Sequence, residues 1–249
     1  MKAIITDLDD TLLRYDKTIS KYTMETLEKC KDQGIKLFFA TARGDTINDV
    51  VPIELFDGYV SNNGAFAIYQ GEEIYKRVIT PTIFLPFLKT ISGLDIKASA
   101  QTGIVSYTNY DFSTMWNGTY IMTNSFDNID EEVEKICILI ETPEQREIIA
   151  SCLPSNLNVH FTKDNLALIM NSEATKLRAL SSLLNYLKIS FKDTVAFGDD
   201  INDLEMLQAA GYGVAMGNAL PEIKQIADFV TEDCDNDGLA LVLDRKLRR

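Results

Sequence analysis

The chain has 249 residues, of which 46% are hydrophobic and 24% charged, a globular balance that excludes a disordered or fibrous protein. Its formal charge of -13 repels phosphate backbones and anionic lipid surfaces, so neither a nucleic acid nor a membrane surface is an expected partner. No apolar run approaches the roughly 20 residues of a membrane span, and Ala3 to Ile5 meets Asp7, Asp9 and Asp10 too soon for a signal-peptide core, which makes a cytoplasmic location the expectation.

From the amino terminus, short apolar runs alternate with helical ones, the signature of βαβ units and a parallel sheet. Lys2 to Thr6 predicts the first strand. Ser20 opens a helix with Leu27 and Cys30 on one face, and Gly34 stops it. Ile35 to Ala40 predicts a second strand and Asp57 to Ser61 a third, which runs into Asn62, Asn63 and Gly64, residue types suited to a tight turn.

After about Thr80 the buried type of strand gives way to longer amphipathic ones. This predicts a separate domain at 81–170, inserted between the halves 1–80 and 171–249 of a discontinuous core. Pro81 starts a helix to Ser92. Asp95 to Gln101, Ile104 to Asn109, Thr119 to Thr123 and Val133 to Glu141 alternate as half-exposed strands. Thr142 and Gln145 have capping-box spacing around Pro143, which predicts a helix to about Leu153, and the strands Asn158 to Thr162 and Leu166 to Met170 close the insert.

The alternating pattern then resumes. A helix carries Leu177, Leu180, Leu183, Leu184 and Leu187 on its core side, followed by the strand Thr194 to Gly198 and a helix from about Asp203 to Ala210. The strand Tyr212 to Ala215, a helix from Pro221 to Ala227 and the strand Asp228 to Val230 complete the series. The expected class is α/β, with a doubly wound parallel sheet core and an inserted α+β domain.

Cys30, Cys137, Cys152 and Cys234 are scattered without C-x-x-C spacing and read as reduced thiols. His160, the single histidine, sits in an alternating stretch and reads as a strand residue. With no G-x-S-x-G elbow, a serine-type triad is not expected.

Ligands of open parallel sheets bind beyond the carboxyl ends of the strands. The first strand delivers Asp7, Asp9 and Thr11 there, the second Thr41 and Arg43, and the strand before Gly198 delivers Asp199, Asp200, Asn202 and Asp203. Carboxylates about 4 Å apart repel by about 4 kcal/mol at an effective dielectric of 20, and a bound cation removes that cost. An all-oxygen set without His or Cys suits Mg²⁺. Asp7 and Asp199 are the expected ligands, with the Asp9 carbonyl as a further candidate and Asp203 holding a metal-bound water. The plainer alternative is an acidic loop cluster that caps helices.

D-L-D-D-T at Asp7 to Thr11, T-A-R at Thr41 to Arg43, Lys176, and G-D-D-I-N-D at Gly198 to Asp203 resemble, in order and spacing, the four motifs of the haloacid dehalogenase superfamily. N-N-G-A at Asn62 to Ala65 and G-Y-G-V-A-M-G-N-A at Gly211 to Ala219 are similar to its Cof-type branch, and the position of the insert resembles that branch's C2B cap domain. The resemblance implies a Rossmann-like core, a cap that sets substrate specificity, and a Mg²⁺-dependent phosphatase. In it Asp7 attacks phosphorus in line, while Asp9 protonates the leaving alcohol and then activates the hydrolytic water. Thr41 and Lys176 would hold phosphate oxygens, Asn202 would orient the phosphate or the lysine, and Thr11 and Arg43 would complete the phosphate site. Thr11 also favours the family's phosphatases over its dehalogenases. Asp10 stands where many relatives have glycine.

The implied substrate is a small phosphorylated metabolite: a sugar phosphate, a nucleotide or a phosphorylated cofactor. The implied assembly is a monomer or homodimer. Phosphoryl transfer to another sugar hydroxyl and a non-catalytic, Mg²⁺-binding regulatory role are the competing readings. Asp233, Asp235, Asp237 and Gly238 reproduce the start of a calcium loop, but Asp244 replaces its closing glutamate, and an acidic loop before a last helix is the expectation. The glycines at 211, 213 and 217 match a dinucleotide fingerprint only loosely, so nicotinamide binding is not expected. Asn117, Gly118 and Thr119 form a glycosylation sequon without meaning in the cytoplasm. Trp116, Tyr107, Tyr110 and Tyr120 read equally as a surface facing a ligand or as core of the insert.

Overall fold

The computed structural model describes residues 1–111, 119–162 and 165–248. Trp116 and the Asn117–Gly118 part of the sequon lie outside them. The chain forms two compact units, Met1–Lys76 with Thr175–Arg249, and Arg77–Ala174.

The first unit begins with β1 (Ala3–Thr6), α1 (Lys21–Asp32), β2 (Lys36–Ala40), β3 (Gly58–Ser61), β4 (Phe66–Tyr69) and β5 (Glu72–Lys76). In the second unit follow α2 (Pro81–Gly93), β6 (Ala98–Thr102), β7 (Val105–Thr108), β8 (Thr119–Met122), β9 (Lys135–Leu139), α3 (Pro143–Cys152), β10 (Leu157–Phe161) and β11 (Leu166–Asn171). The chain returns through α4 (Lys176–Tyr186), β12 (Thr194–Gly198), α5 (Leu204–Ala209), β13 (Tyr212–Ala215), α6 (Pro221–Ile226), β14 (Phe229–Val230) and α7 (Gly238–Leu247).

The sheet of the first unit has the order β14-β13-β12-β1-β2-β3-β4-β5, parallel as far as β3 and antiparallel through the last two pairings. Every residue of β1 and β12 is buried, as expected of parallel strands covered on both faces. Thr6 is in register with Phe39 and with Phe197, so three strands end level with one another. Strand order reverses at β1, which lies between β2 and β12, and such a switch point is where open parallel sheets place their ligands. The expected α/β class with a parallel-rich core is what forms.

Local signals explain the helix starts. Ser20 caps α1 by accepting from the Thr23 N–H at 3.0 Å. Thr142 N–H donates to Gln145 Oε1 at 3.3 Å, the backward half of the capping box at α3. In the second unit the sheet runs β10-β11-β9-β6-β7-β8 and is antiparallel except for β7 with β8. Ile136 and Ile138 of β9 share its buried cluster with Phe84, Leu88 and Ile91 of α2.

The hairpin of β4 and β5 has no counterpart among the predicted elements. It turns at Gln70 and Gly71, whose φ values are 50° and 84°, the positive pair that a two-residue hairpin turn uses. The helix expected from Asp203 begins one residue later at Leu204, because Ile201–Asp203 forms a 3-10 turn.

Gly64 carries a structural demand of its own: at φ 107° it lies so close to the Thr175 backbone that an added Cβ would sit 2.3 Å from its carbonyl carbon. That approach sets where the returning chain starts α4. Gly64→Ala is expected to cost about 1–3 kcal/mol and to lower Tm by roughly 3–10 °C, readable by calorimetry.

Candidate active site at the ends of β1, β2 and β12

Asp7 follows β1 directly, and its N–H donates to Phe197 O of β12 at 3.0 Å, so the sheet ladder itself fixes this backbone. Its carboxylate Oδ1 accepts from Lys176 Nζ at 2.6 Å. The same ammonium donates to Asp203 Oδ1 at 2.7 Å. Lys176, Asp7 and Asp203 are all buried. The lysine opens a leucine-rich helix, a place where a solvated side chain would be ordinary, yet here it bridges carboxylates from opposite ends of the sequence.

Asp203 is used completely. Its Oδ2 accepts from the N–H groups of Asp199 at 3.0 Å and Asp200 at 3.2 Å, which folds the loop after β12 around it. Gly198 leaves the room for this, since a Cβ there would meet Asp203 Cβ at 2.5 Å. Thr11 Oγ1 donates to Asp199 Oδ1 at 2.8 Å and ties the first loop to the loop after β12. Among the described residues, Asp7 Oδ2 and Asp199 Oδ2 have no hydrogen-bond partner.

One oxygen from each of Asp7, Asp199 and Asp203 lies within 4.8 Å of the other two. This hard, all-oxygen donor set fits a small divalent cation such as Mg²⁺, with Asp7 and Asp199 able to ligate directly and Asp203 already engaged by its own loop and Lys176.

The electrostatics divide the carboxylates. Burial pushes Asp7 well up from the usual carboxylate value, against the pull of Lys176, and the charges of Asp203 and Asp199 add to the rise. Burial is also the main cause at Asp199, which is pushed up to about 7 although the Thr11 hydroxyl opposes it. Lys176 is raised as well, which for a lysine favours the charged form: burial disfavours its charge, but Asp203 and Asp7 outweigh that.

Asp9 stands apart from this cluster. Arg43 grips it with Nε on Oδ2 at 2.6 Å and Nη2 on Oδ1 at 2.7 Å, and Lys17 Nζ reaches Oδ1 at 3.0 Å. Half-burial raises its pKa, but the hydrogen bonds from Arg43 and Lys17 more than offset this and leave it lowered. Thr41 is buried after β2, and its Oγ1 accepts from the Arg43 N–H at 3.1 Å. Asn202 turns to Asn63, donating from Nδ2 to Oδ1 at 3.1 Å, and not to Lys176.

Sequence reasoning did not single out Lys17 or Asn218. Asn218 Nδ2 donates to Asp10 O at 2.7 Å while its Oδ1 accepts from Cys234 N–H at 3.1 Å, linking the first loop to the acidic segment that precedes α7. The signal for it lay in the G-N-A at Gly217 to Ala219. The calcium-like segment is occupied from within: Arg14 Nη2 donates to both oxygens of Asp237 at 3.0 and 3.1 Å, and Tyr15 N–H donates to Asp235 Oδ1 at 3.1 Å. The four cysteines are free thiols and His160 is exposed on β10. Among the described residues no helix is long and apolar enough to cross a membrane.

A raised carboxyl has a definite consequence for stability without metal. With a folded pKa near 7 against an unfolded value near 3.8, Asp199 costs nothing well below pH 3.8 and progressively more as pH rises to about 7, above which the full cost applies. Asp199→Asn mimics the neutral form and keeps an oxygen for Thr11. In chelator, the variant is therefore expected to melt above the parent at pH 8, less so at pH 5, with the difference vanishing as pH falls below 3.8.

The chain is similar to known proteins along almost its whole length. Residues 4–243 match the profile of the haloacid dehalogenase-like hydrolases. The Bacillus subtilis protein YkrA is 29% identical over 245 residues, spanning 96% of this chain and 95% of that one. YitU of the same organism, a 5-amino-6-(5-phospho-D-ribitylamino)uracil phosphatase, is 28% identical over 260 residues, spanning 96% of this chain and 95% of that one. Among solved structures, a subclass IIB sugar phosphatase superposes with a TM-score of 0.81 at 26% identity and covers 99% of both chains. With an acidic cluster able to hold a metal at the switch point of its parallel sheet, the chain belongs to the haloacid dehalogenase-like hydrolases.

Proposed function

We propose that this protein is a Mg²⁺-dependent phosphatase that hydrolyses a small phosphorylated metabolite through an aspartyl-phosphate on Asp7. The observation that carries the reading is the buried Asp7 carboxylate at the end of β1, held by Lys176 through Oδ1 with Oδ2 left open. The names of relatives support it, since both YitU and the sugar phosphatase are named for small phosphorylated substrates.

Asp7 Oδ2 attacks phosphorus, forming an O–P bond as the bond to the leaving oxygen breaks. Asp9 donates a proton to that oxygen and is left as a carboxylate. It then takes a proton from water, whose oxygen attacks the phosphorus, and the Asp7–P bond breaks to release inorganic phosphate. Lys176 offsets the charge of the non-reacting phosphate oxygens and the Thr41 hydroxyl donates a hydrogen bond to them, while Asn202 keeps the loop after β12 fixed through Asn63. Asp7 and Asp199, with the Asp9 carbonyl and Asp203 in support, would hold Mg²⁺, which would supply positive charge for the phosphate oxygens and relieve repulsion among the carboxylates.

The hydrogen bonds that Arg43 and Lys17 give Asp9 favour its carboxylate form, whereas the first step needs its acid form. Phosphate accepts a bidentate guanidinium as well as a carboxylate does. Arg43 passes to the incoming phosphate, Asp9 Oδ2 is freed, and the carboxyl gains affinity for the proton it must give. The inserted unit, residues 77–174, sets which metabolite is accepted.

Wild-type protein with Mg²⁺ is expected to release phosphate from p-nitrophenyl phosphate and to lose that activity in chelator. Asp7→Asn is expected to lower kcat by about a thousandfold or more. Equal turnover by the two proteins would remove Asp7 from the nucleophile role. A kcat/KM series over phosphorylated metabolites would rank substrates, and isomerised product in place of free phosphate would identify a transferase.

A further inference from the structure

The loop after β1 folds back on itself. Leu13 N–H donates to Leu8 O at 2.8 Å, Arg14 N–H to Thr18 O at 2.9 Å, and Lys17 N–H to Arg14 O at 2.9 Å. Asp10 and Lys17 both have positive φ, 59° and 65°. Side-chain-bearing residues hold that conformation where surrounding contacts over-determine it, and aspartate does so more readily than most.

Those contacts converge on one ammonium. Lys17 Nζ lies 3.0 Å from Asp10 Oδ1 and 3.0 Å from Asp9 Oδ1. The Asp10 carbonyl is pinned by Asn218, and the turn that carries Lys17 is anchored by Arg14 on Asp237. Left-handed Asp10 thus turns its carboxylate to the same side as that of Asp9, and a single cation spans both.

The two cations on Asp9 differ in what they belong to. Arg43 comes from the segment after β2 and occupies both Asp9 oxygens, including Oδ2. Lys17 belongs to the loop of Asp9 itself and touches only Oδ1. Once Arg43 departs, Lys17 remains, holding one oxygen while the other is open to carry the proton.

We propose that Lys17, anchored on Asp10, is a positioning residue that keeps Asp9 Oδ2 aimed at the leaving-group oxygen during phosphoryl transfer. This rests on the reading of Asp9 as general acid. An alkoxide leaving group needs the proton far more than p-nitrophenolate does, so loss of aim should fall selectively on alkyl phosphates.

The experiment measures kcat/KM, which reports the phosphorylation half-reaction, for an alkyl phosphate and for p-nitrophenyl phosphate. Lys17→Met is expected to lower the alkyl value at least about tenfold more than the aryl value, and Lys17→Arg to restore most of the difference. Asp10→Asn, which keeps a side chain tolerant of positive φ, should lower the same ratio and add nothing further in the double variant with Lys17→Met. Equal effects of Lys17→Met on both substrates, or none on either, would overturn the proposal. Asp9→Asn is the control: a selective loss there without one at Lys17 sinks only the positioning role. If Asp9→Asn shows no leaving-group selectivity, the general-acid reading falls and takes this proposal with it.

Discussion

The site depends on one buried ion bridge, Lys176 between Asp7 and Asp203. The ammonium is separated from the first carboxylate by 169 residues and from the second by 27, and burying any of the three alone would be prohibitively unfavourable. Together they are tolerable only if the geometry is held from several directions. The β1–β12 ladder fixes Asp7, the amides of Asp199 and Asp200 fix Asp203, and the close pass of Gly64 under Thr175 fixes the start of the helix that carries Lys176. Three carboxylates against one ammonium still leave an excess of negative charge, concentrated where two carboxylate oxygens have no protein donor. That remainder is what a divalent cation would cancel.

Much of this was readable from residue pattern because strand ends are readable. Buried apolar runs ending in Asp7, Thr41 and Gly198 mark where parallel strands stop, and the parallel architecture then brings their trailing polar residues to a common edge. The α/β class followed from the same alternation. The β4–β5 hairpin escaped because its signal is conformational: Gln70 and Gly71 turn the chain through positive φ, and glutamine gives little warning of that. Periodicity also has no bearing on where long flexible side chains end. Nothing in spacing says that Lys17 doubles back onto Asp9 and Asp10, or that Asn202 meets Asn63.

Asp10 shows how a departure from a familiar motif can be absorbed. At Asp10 this chain combines a left-handed backbone with a carboxylate, and the loop supplies Lys17 for that carboxylate and Asn218 for the carbonyl. The strain is local and the compensation lies within contact distance, so the positions of Asp7 and Thr11 on either side remain governed by their own partners on β12 and Asp199.

The two aspartates proposed to carry the chemistry sit, without ligands, in environments opposite to the ones their roles need. Burial raises Asp7, which must be ionised to attack, while hydrogen bonds from Arg43 and Lys17 lower Asp9, which must hold a proton to give. Each inversion has its own remedy. Positive charge beside Asp7 and Asp199 favours their ionised forms, and a phosphate that draws Arg43 away withdraws the larger share of what stabilises the Asp9 carboxylate. On this reading neither cation nor substrate alone prepares the site. The nucleophile and the acid reach their working protonation states only when both are bound, and that coupling keeps an activated carboxylate from standing idle beside water.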